Sequence, residues 1–388
     1  MESIKDKVAI IGMGCTKFGE NWDKGANDMI VEAAYEAFED AGIGPKDIQA
    51  AWVGTNTSGK AGFCLSYPLK LKGIPVTRVE NYCCTGMDTL RNAAFGVASG
   101  MYDIVLALGF EKLKDLGTGG LVGQAGAEIA YRPSIQAPSG TPGSYFGMAA
   151  ITYFQKYGAS REHLAKIAVK NHHNGALAPK AHFQKEITLD QALNAPIITW
   201  PLGLFDCCGV TDGAAAAIIT TKELAKKFRP DPVYIKGLGL SADTMHHMYK
   251  PGHDYLHWDA TVMAAAEAYR HAGITNPFKE LDLVGIHDCF TITELISYED
   301  LGLCPRGEAK NYIDSGAFEI GGELPVNTDG GLKAFGHPVG ATGLRMAYEL
   351  YKQFQGKAEK RQLKDPQIGL VQNLGGHPSV ATVAILGL

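Results

Sequence analysis

Long apolar runs are missing from this 388-residue sequence, which nowhere approaches the roughly 18 consecutive apolar residues that a membrane-crossing helix needs. Positive charge is not in excess either. A formal net charge of −5 offers no basic field to a polyanion, so nucleic acid is not an expected partner, and nor is a membrane. The eight cysteines include two adjacent pairs, Cys83–Cys84 and Cys207–Cys208, and no CxxC. Neighbouring cysteines rarely bridge each other, so neither a disulfide framework nor a structural zinc site is expected. Gly12 and Gly14 open no GxGxxG, because Lys17 stands where the third glycine belongs. Met1–Lys7 contains no signal-type apolar stretch, and a reducing cytoplasm is the expected location.

Glycine is abundant, with 47 residues, many of them in GxG or GG pairs at the ends of apolar runs. The length suits two similar domains or one large α/β body. An internal echo favours duplication. Val8–Gly14 (VAIIGMG) returns as Val233–Gly239 (VYIKGLG), and Ala33–Ile43 (AAYEAFEDAGI) returns as Ala264–Ile274 (AAAEAYRHAGI). Each copy reads as a strand and then an amphipathic helix closing on Ala-Gly-Ile, with glycine as C-cap. A second strand follows, at Ala51–Gly54 and at Leu283–Ile286. The expected architecture is a duplicated β/α unit with mostly parallel strands, residues 1–228 forming one half and 229–388 the other. Residues 113–201 shift in composition and read as an inserted loop domain, with helices over Tyr145–Tyr157 and Arg161–Asn171.

Three distant stretches carry chemistry. Cys83 follows an extended segment and precedes a helix whose apolar face is Leu90, Ala93, Ala94 and Val97. A helix N-terminus is expected to lower a thiol pKa and favour a nucleophilic thiolate. His337 lies in the run Gly330–Gly343, whose glycines let backbone approach a reacting centre, and Pro338 is placed to open a helix through Ala341–Tyr351. An imidazole there can take a proton from a thiol or donate to an oxyanion. His287-Asp288-Cys289-Phe290 ends a strand, where parallel α/β sheets usually build sites, and an extended chain would point His287 and Cys289 to one side. A histidine-rich run, His246–His257, lacks the spacing of a zinc site and reads as a polar loop.

With Val79–Gly86, Lys170–His172, Cys207–Ala214, His287–Phe290 and Gly336–Gly343 taken together, the sequence resembles the thiolase superfamily over nearly its whole length, in the sterol-carrier-protein-type and archaeal branch. The resemblance implies an α/β thiolase fold, with two βαβαβαββ halves in a five-layer αβαβα body. It also implies a loop domain that helps bind coenzyme A, a homodimer, and in some relatives a small OB-fold zinc-ribbon partner. Coenzyme A and acyl-CoA are then substrates, and no tightly bound cofactor or metal is implied. On this likeness Cys83 is the acylated nucleophile, His337 activates it, and His287 stands in an oxyanion hole. The backbone N–H groups of Cys83 and Gly375 make a second hole, while Met148, Phe290 and Gly376 line the substrate or CoA site. Most thiolases carry an acid/base cysteine in a C-terminal Cys-x-Gly turn. Here Asn373-Leu374-Gly375 replaces it, which leaves Cys289 as the proton donor and acceptor.

The expected reaction is thiolytic cleavage of a 3-oxoacyl-CoA or the reverse Claisen condensation. Acetoacetyl-CoA is the default substrate, and an aromatic 3-oxoacyl-CoA such as benzoylsuccinyl-CoA is an option. A β-ketoacyl-synthase-like enzyme shares the GHxxGA turn, but it has no use for a second sulfur. A non-catalytic acyl-CoA-binding subunit of a complex is the remaining alternative.

Overall fold

A computed structural model describes residues 3–116, 142–244 and 253–388. Most of the glycine- and proline-rich stretch before Tyr145, and of the histidine-rich run, therefore lies outside the described residues. The N-terminal part contains β1 (Val8–Cys15), α1 (Ala26–Ala41), β2 (Ala50–Gly54), α2 (Phe63–Leu69), β3 (Val76–Val79), α3 (Thr85–Ala98) and β4 (Ile104–Glu111). An insertion follows, with α4 (Pro142–Tyr157), α5 (Arg161–Ala176), α6 (Leu189–Leu193) and the hairpin β5 (Ile197–Thr199) and β6 (Leu202–Gly203). Strand β7 (Gly213–Thr221) and helix α7 (Lys222–Phe228) lead to β8 (Val233–Ala242), α8 (Asp259–Ala272), α9 (Pro277–Glu280), β9 (Leu283–Gly285) and α10 (Thr291–Asp300). The chain ends with α11 (Ala309–Asp314), α12 (Gly331–Ala334), α13 (Thr342–Phe354), β10 (Ile368–Gly375) and β11 (Val380–Gly387).

The strand order, β3-β2-β4-β7-β1-β8-β11-β10-β9, is the same sequence of positions read outward from the middle. In each half the first strand is antiparallel to the last, the last antiparallel to the fourth, and the fourth parallel to the second. A third parallel strand, β3, completes the first half, and a single bridge from Val284 to Val326 stands in for it in the second. Helices α1 and α8 cover the outer faces, while α3 and α13 pack against each other between the two halves, so the layers run αβαβα. Alternation along β1 serves two cores: Ala9 and Ile11 face α1, and Val8, Ile10 and Met13 face the central helices.

The echoed glycines explain the repeat physically. A Cβ at Gly12 would sit 2.4 Å from the Ala37 carbonyl oxygen, and one at Gly14 would sit 2.1 Å from that of Ala33. Their counterparts Gly237 and Gly239 meet Ala268 and Ala264 at 2.3 and 2.0 Å. Both copies thus use two glycines facing two alanines to bring a strand and a helix into backbone contact. The insertion does not stay with its own half, since α5 packs on α10 and α12 of the other. The helix after His337 starts at Thr342 rather than at Pro338, whose carbonyl accepts from the N–H groups of Ala341 and Thr342. No described helix is long and apolar enough to cross a membrane.

Candidate active site

Cys83 lies in the turn between β3 and α3, one residue before the N-cap Cys84. The turn is tight: Tyr82 takes a left-handed φ of 49°, uncommon for a residue with a Cβ. Thr85 locks it, its hydroxyl donating to the Tyr82 carbonyl and accepting from the Asn81 N–H at 2.9 Å. This geometry separates the two adjacent cysteines. Cys84 is buried, with its thiol on the Val380 carbonyl at 3.3 Å, whereas Cys83 is half-buried and faces the imidazoles.

The Cys83 sulfur and one ring nitrogen each of His287 and His337 all lie within 4.8 Å of one another. The two rings stand edge to face, 5.0 Å between centroids. Both histidines are buried, and neither Nε2 has a hydrogen-bond partner among the described residues. Their Nδ1 atoms are held from behind. His337 Nδ1 meets Thr342 Oγ1 at 2.7 Å, and that hydroxyl donates to the Pro338 carbonyl at 3.1 Å. Nδ1 is therefore the donor to Thr342, and the His337 Nε2 carries a free lone pair. Asn373 Nδ2 donates to His287 Nδ1 at 3.2 Å, which puts the His287 proton on Nε2. One ring offers a base to the pocket and the other offers a donor.

Burial governs the charges. It pushes the Cys83 thiol up to about 12, although the Gly376 N–H on the sulfur acts in the opposite sense. The expectation of a thiol lowered by the helix terminus is thus corrected: loss of water outweighs the helix end, and the resting sulfur is neutral. Burial, with Arg345 adding to it, pulls His337 down to about 3. His287 falls well below its ordinary value through burial, then His337 and Arg345. At neutral pH the trio is a thiol and two uncharged rings.

The loop His287–Phe290 is anchored at nearly every residue. His287 N–H donates to Gln372 Oε1 at 3.1 Å. Asp288 accepts from the backbone of Leu332 and Lys333 and from Asn171 Nδ2, the last at 2.8 Å. Asn171 also reaches Glu294, which pairs with Lys170 at 2.7 Å. Burial, then Glu294, raises Asp288 to about 7. Cys289 is buried, 3.9 Å from Thr293 Oγ1, close enough to Cys83 for the two thiols to influence each other. Phe290 stacks on Phe146 of α4 at 4.7 Å.

Of the remaining expected residues, Gly375 ends β10 and Gly376 follows it with a φ of +65°. It is the Gly376 N–H that reaches the Cys83 sulfur. Met148 lies on α4, half-buried, two residues beyond Phe146. Thr342, Asn373, Gln372, Asn171 and Glu294 were not singled out from sequence. The matched stretches Lys170–His172 and Gly336–Gly343 contain Asn171 and Thr342, and Asn373 stood out only as the replacement of a cysteine. Nothing in the sequence marked their supporting roles, since apart from His337, five residues before Thr342, their partners lie far away in the chain.

Family models match both parts of the chain: residues 8–223 fit the thiolase N-terminal domain, and residues 241–388 fit a thiolase C-terminal domain-like model. The acetyl-CoA acetyltransferase of Methanothermobacter thermautotrophicus is 38% identical over 386 residues, spanning 97% of this chain and 98% of its own. Sterol carrier protein 2 of Bos taurus is 34% identical, over 99% of this chain and 73% of its own. Among solved structures, an Ltp2-ChsH2(DUF35) aldolase superposes with a TM-score of 0.89 at 28% identity, covering 100% of this chain and 99% of that one. Human mitochondrial 3-ketoacyl-CoA thiolase in complex with CoA shares the fold, with a TM-score of 0.72 at 18% identity over 99% of this chain and 98% of that one. Matched along nearly its full length, the chain belongs to the thiolase family of acyltransferases.

Proposed function

We propose that this protein is a thiolase that cleaves a 3-oxoacyl-CoA with coenzyme A, or runs the reverse Claisen condensation, through an acyl-Cys83 intermediate. The observation that carries the reading is the convergence of one sulfur and two imidazole nitrogens within 4.8 Å, with both Nε2 atoms buried and without a partner among the described residues. In cleavage, His337 Nε2 takes the Cys83 proton as the sulfur attacks the 3-oxo carbonyl. The bond between C2 and C3 breaks, the acyl group stays on sulfur, and C2 leaves as an enolate whose oxygen accepts from His287 Nε2–H. Cys289 gives a proton to C2, releasing the shortened thioester. The thiol of CoA gives its proton to the Cys289 thiolate as its sulfur attacks acyl-Cys83, and the departing Cys83 sulfur takes back the proton held on His337, so both thiols and the imidazole are restored. The N–H groups of Cys83 and of Gly375 or Gly376 are the donors for the tetrahedral oxyanion.

Acetoacetyl-CoA is the proposed substrate. Tyr145, Phe146 and Trp258 are buried and pack edge to face or stacked in a group reaching Phe290 and His377, which supports a short acyl group beside Cys83. A homodimer is supported by β3, an outermost strand of the sheet, and by the neighbouring α2, where Phe63 and Tyr67 are 68% and 63% exposed. The similar aldolase carries a ChsH2(DUF35) component, which supports a second, small subunit of the OB-fold zinc-ribbon kind. That likeness also sets the competing reading, carbon–carbon cleavage of the aldol type with no acyl-cysteine.

Intact-mass spectrometry after exposure to acetoacetyl-CoA and to benzoylsuccinyl-CoA separates these readings. The expected result is an acetyl adduct mapping to Cys83 with the first compound. An aroyl-containing adduct would move the substrate to the aromatic class. A folded protein that turns over substrate with no adduct would overturn the acyl-cysteine mechanism.

A further inference from the structure

The pair Cys207–Cys208 has no place in the steps above, yet a single antiparallel bridge ties it to the loop of Cys289. Cys207 bridges Phe290, and the Cys208 N–H donates to the Cys289 carbonyl at 2.9 Å. Cys208 and Cys289 are the neighbouring residues on the two segments and stand opposite each other. Opposed residues of an antiparallel pair project to one face with Cβ atoms about 4.5–5.5 Å apart. This pair sets the Cys208 thiol beside the Cys289 thiol, and of the ionisable neighbours Cys208 acts most strongly on Cys289. On the far side of the bridge both segments turn helical, and Thr291 Oγ1, at the start of α10, donates to Asp206 Oδ1 at 2.6 Å, which pins the two segments together. Cys207 points elsewhere, its thiol on the Gly203 carbonyl at 3.5 Å.

Cys289 has another polar neighbour in Thr293, but that hydroxyl is committed. It donates to the carbonyls of Phe290 and His287, at 2.6 and 2.7 Å. Thr293 Oγ1 can accept from the Cys289 S–H at 3.9 Å and has no proton to return. When Cys289 protonates the substrate carbon, a thiolate is left in a buried place and needs a donor.

We propose that Cys208 is the positioning residue for this step, its S–H donating to the Cys289 sulfur as that sulfur becomes a thiolate. The Cys208 proton stays on Cys208. The S–H bond of Cys289 breaks as the C–H bond of the substrate forms, and the reverse step restores both. The inference rests on the reading of Cys289 as the acid/base.

The test is deuterium uptake at the methyl group of acetyl-CoA in D2O, with acylation of Cys83 followed by mass spectrometry in the same samples. Cys208→Ala is expected to slow exchange about tenfold or more, from one lost hydrogen bond to a charged group, while Cys83 is still acylated. Cys208→Ser, which keeps a donor, is expected to recover most of that loss. Unchanged exchange in Cys208→Ala, with exchange abolished in Cys289→Ala, would overturn the inference alone. A Ser variant as slow as the Ala variant would reduce Cys208 to packing and overturn it too. Full exchange in Cys289→Ala would remove the acid/base reading itself.

Discussion

A neutral thiol facing two neutral imidazoles is an unusual resting state for a nucleophile, and at the scale of single residues it makes definite predictions. With Cys83 pushed up to about 12, its thiolate fraction at pH 7 is about a thousandfold below that of a free cysteine. Iodoacetamide should therefore inactivate the resting enzyme slowly at neutral pH and ever faster as pH rises, with no plateau near pH 7. A fast, bell-shaped profile would instead reveal a preformed thiolate–imidazolium pair. His337 ties the same pocket to stability. Its folded value of about 3 leaves the native state without a proton that the unfolded chain binds below pH 6.5. Its stabilising contribution is full above that pH and fades as pH falls toward 3, by about 2 kcal/mol at pH 5. Asp288, raised to about 7, works in the opposite sense, its contribution being full at low pH and lost as pH rises through 7. Comparing His337→Asn with the parent isolates the first effect: in urea unfolding, the parent's advantage should shrink by about 2 kcal/mol between pH 7.5 and pH 5. Thr342→Val strands the Nδ1–H of His337. It should lower thiolysis at least tenfold and cost about 1–3 kcal/mol of stability, read from kcat and from the same unfolding curves.

Among elements, the strand–helix pairs β1–α1 and β8–α8 show what a sequence reveals and what it hides. Their glycine–alanine matches were legible as an echo because close backbone contact tolerates few residue types, and it tolerates the same ones in both copies. Gly239→Ala would drive a Cβ to 2.0 Å from the Ala264 carbonyl, and unfolding should show a loss above about 2 kcal/mol. Gly321→Ala, with nothing within 4 Å of its added carbon, should change stability little. The reactive loops were legible for a related reason: each packs cysteine, histidine and glycine into a few neighbouring residues. Their supports were not. Thr342 reads as an ordinary first-turn threonine, and Asn373 reads only as a missing cysteine, until the fold brings His337 and His287 against them. The direction of the Cys83 pKa shift was misjudged for the same kind of reason, because a helix end is visible in a sequence and the burial around it is not.

Across the whole molecule, the insertion is what fastens one half to the other near the site. Lys170 and Asn171 on α5 reach the buried Glu294 and Asp288 of the C-terminal half, so the His287 loop is braced by a segment that follows β4 in the chain. Lys170→Met removes the cation and leaves Glu294 buried without a countercharge, held only by hydrogen bonds from Asn171, Asn327 and Tyr298, and should cost about 3–5 kcal/mol, with thiolysis lost in proportion as the loop loosens. Equal loss in Lys170→Met and in Lys170→Arg would point to shape rather than charge. The strand order has a consequence beyond stability. Because both copies of the unit bring the start of their central helix to the same seam, duplication provided two addresses facing a single cluster of reactive groups. One address came to hold sulfur and the other imidazole. Each half can therefore diverge at its own contribution while the shared cluster keeps its spacing.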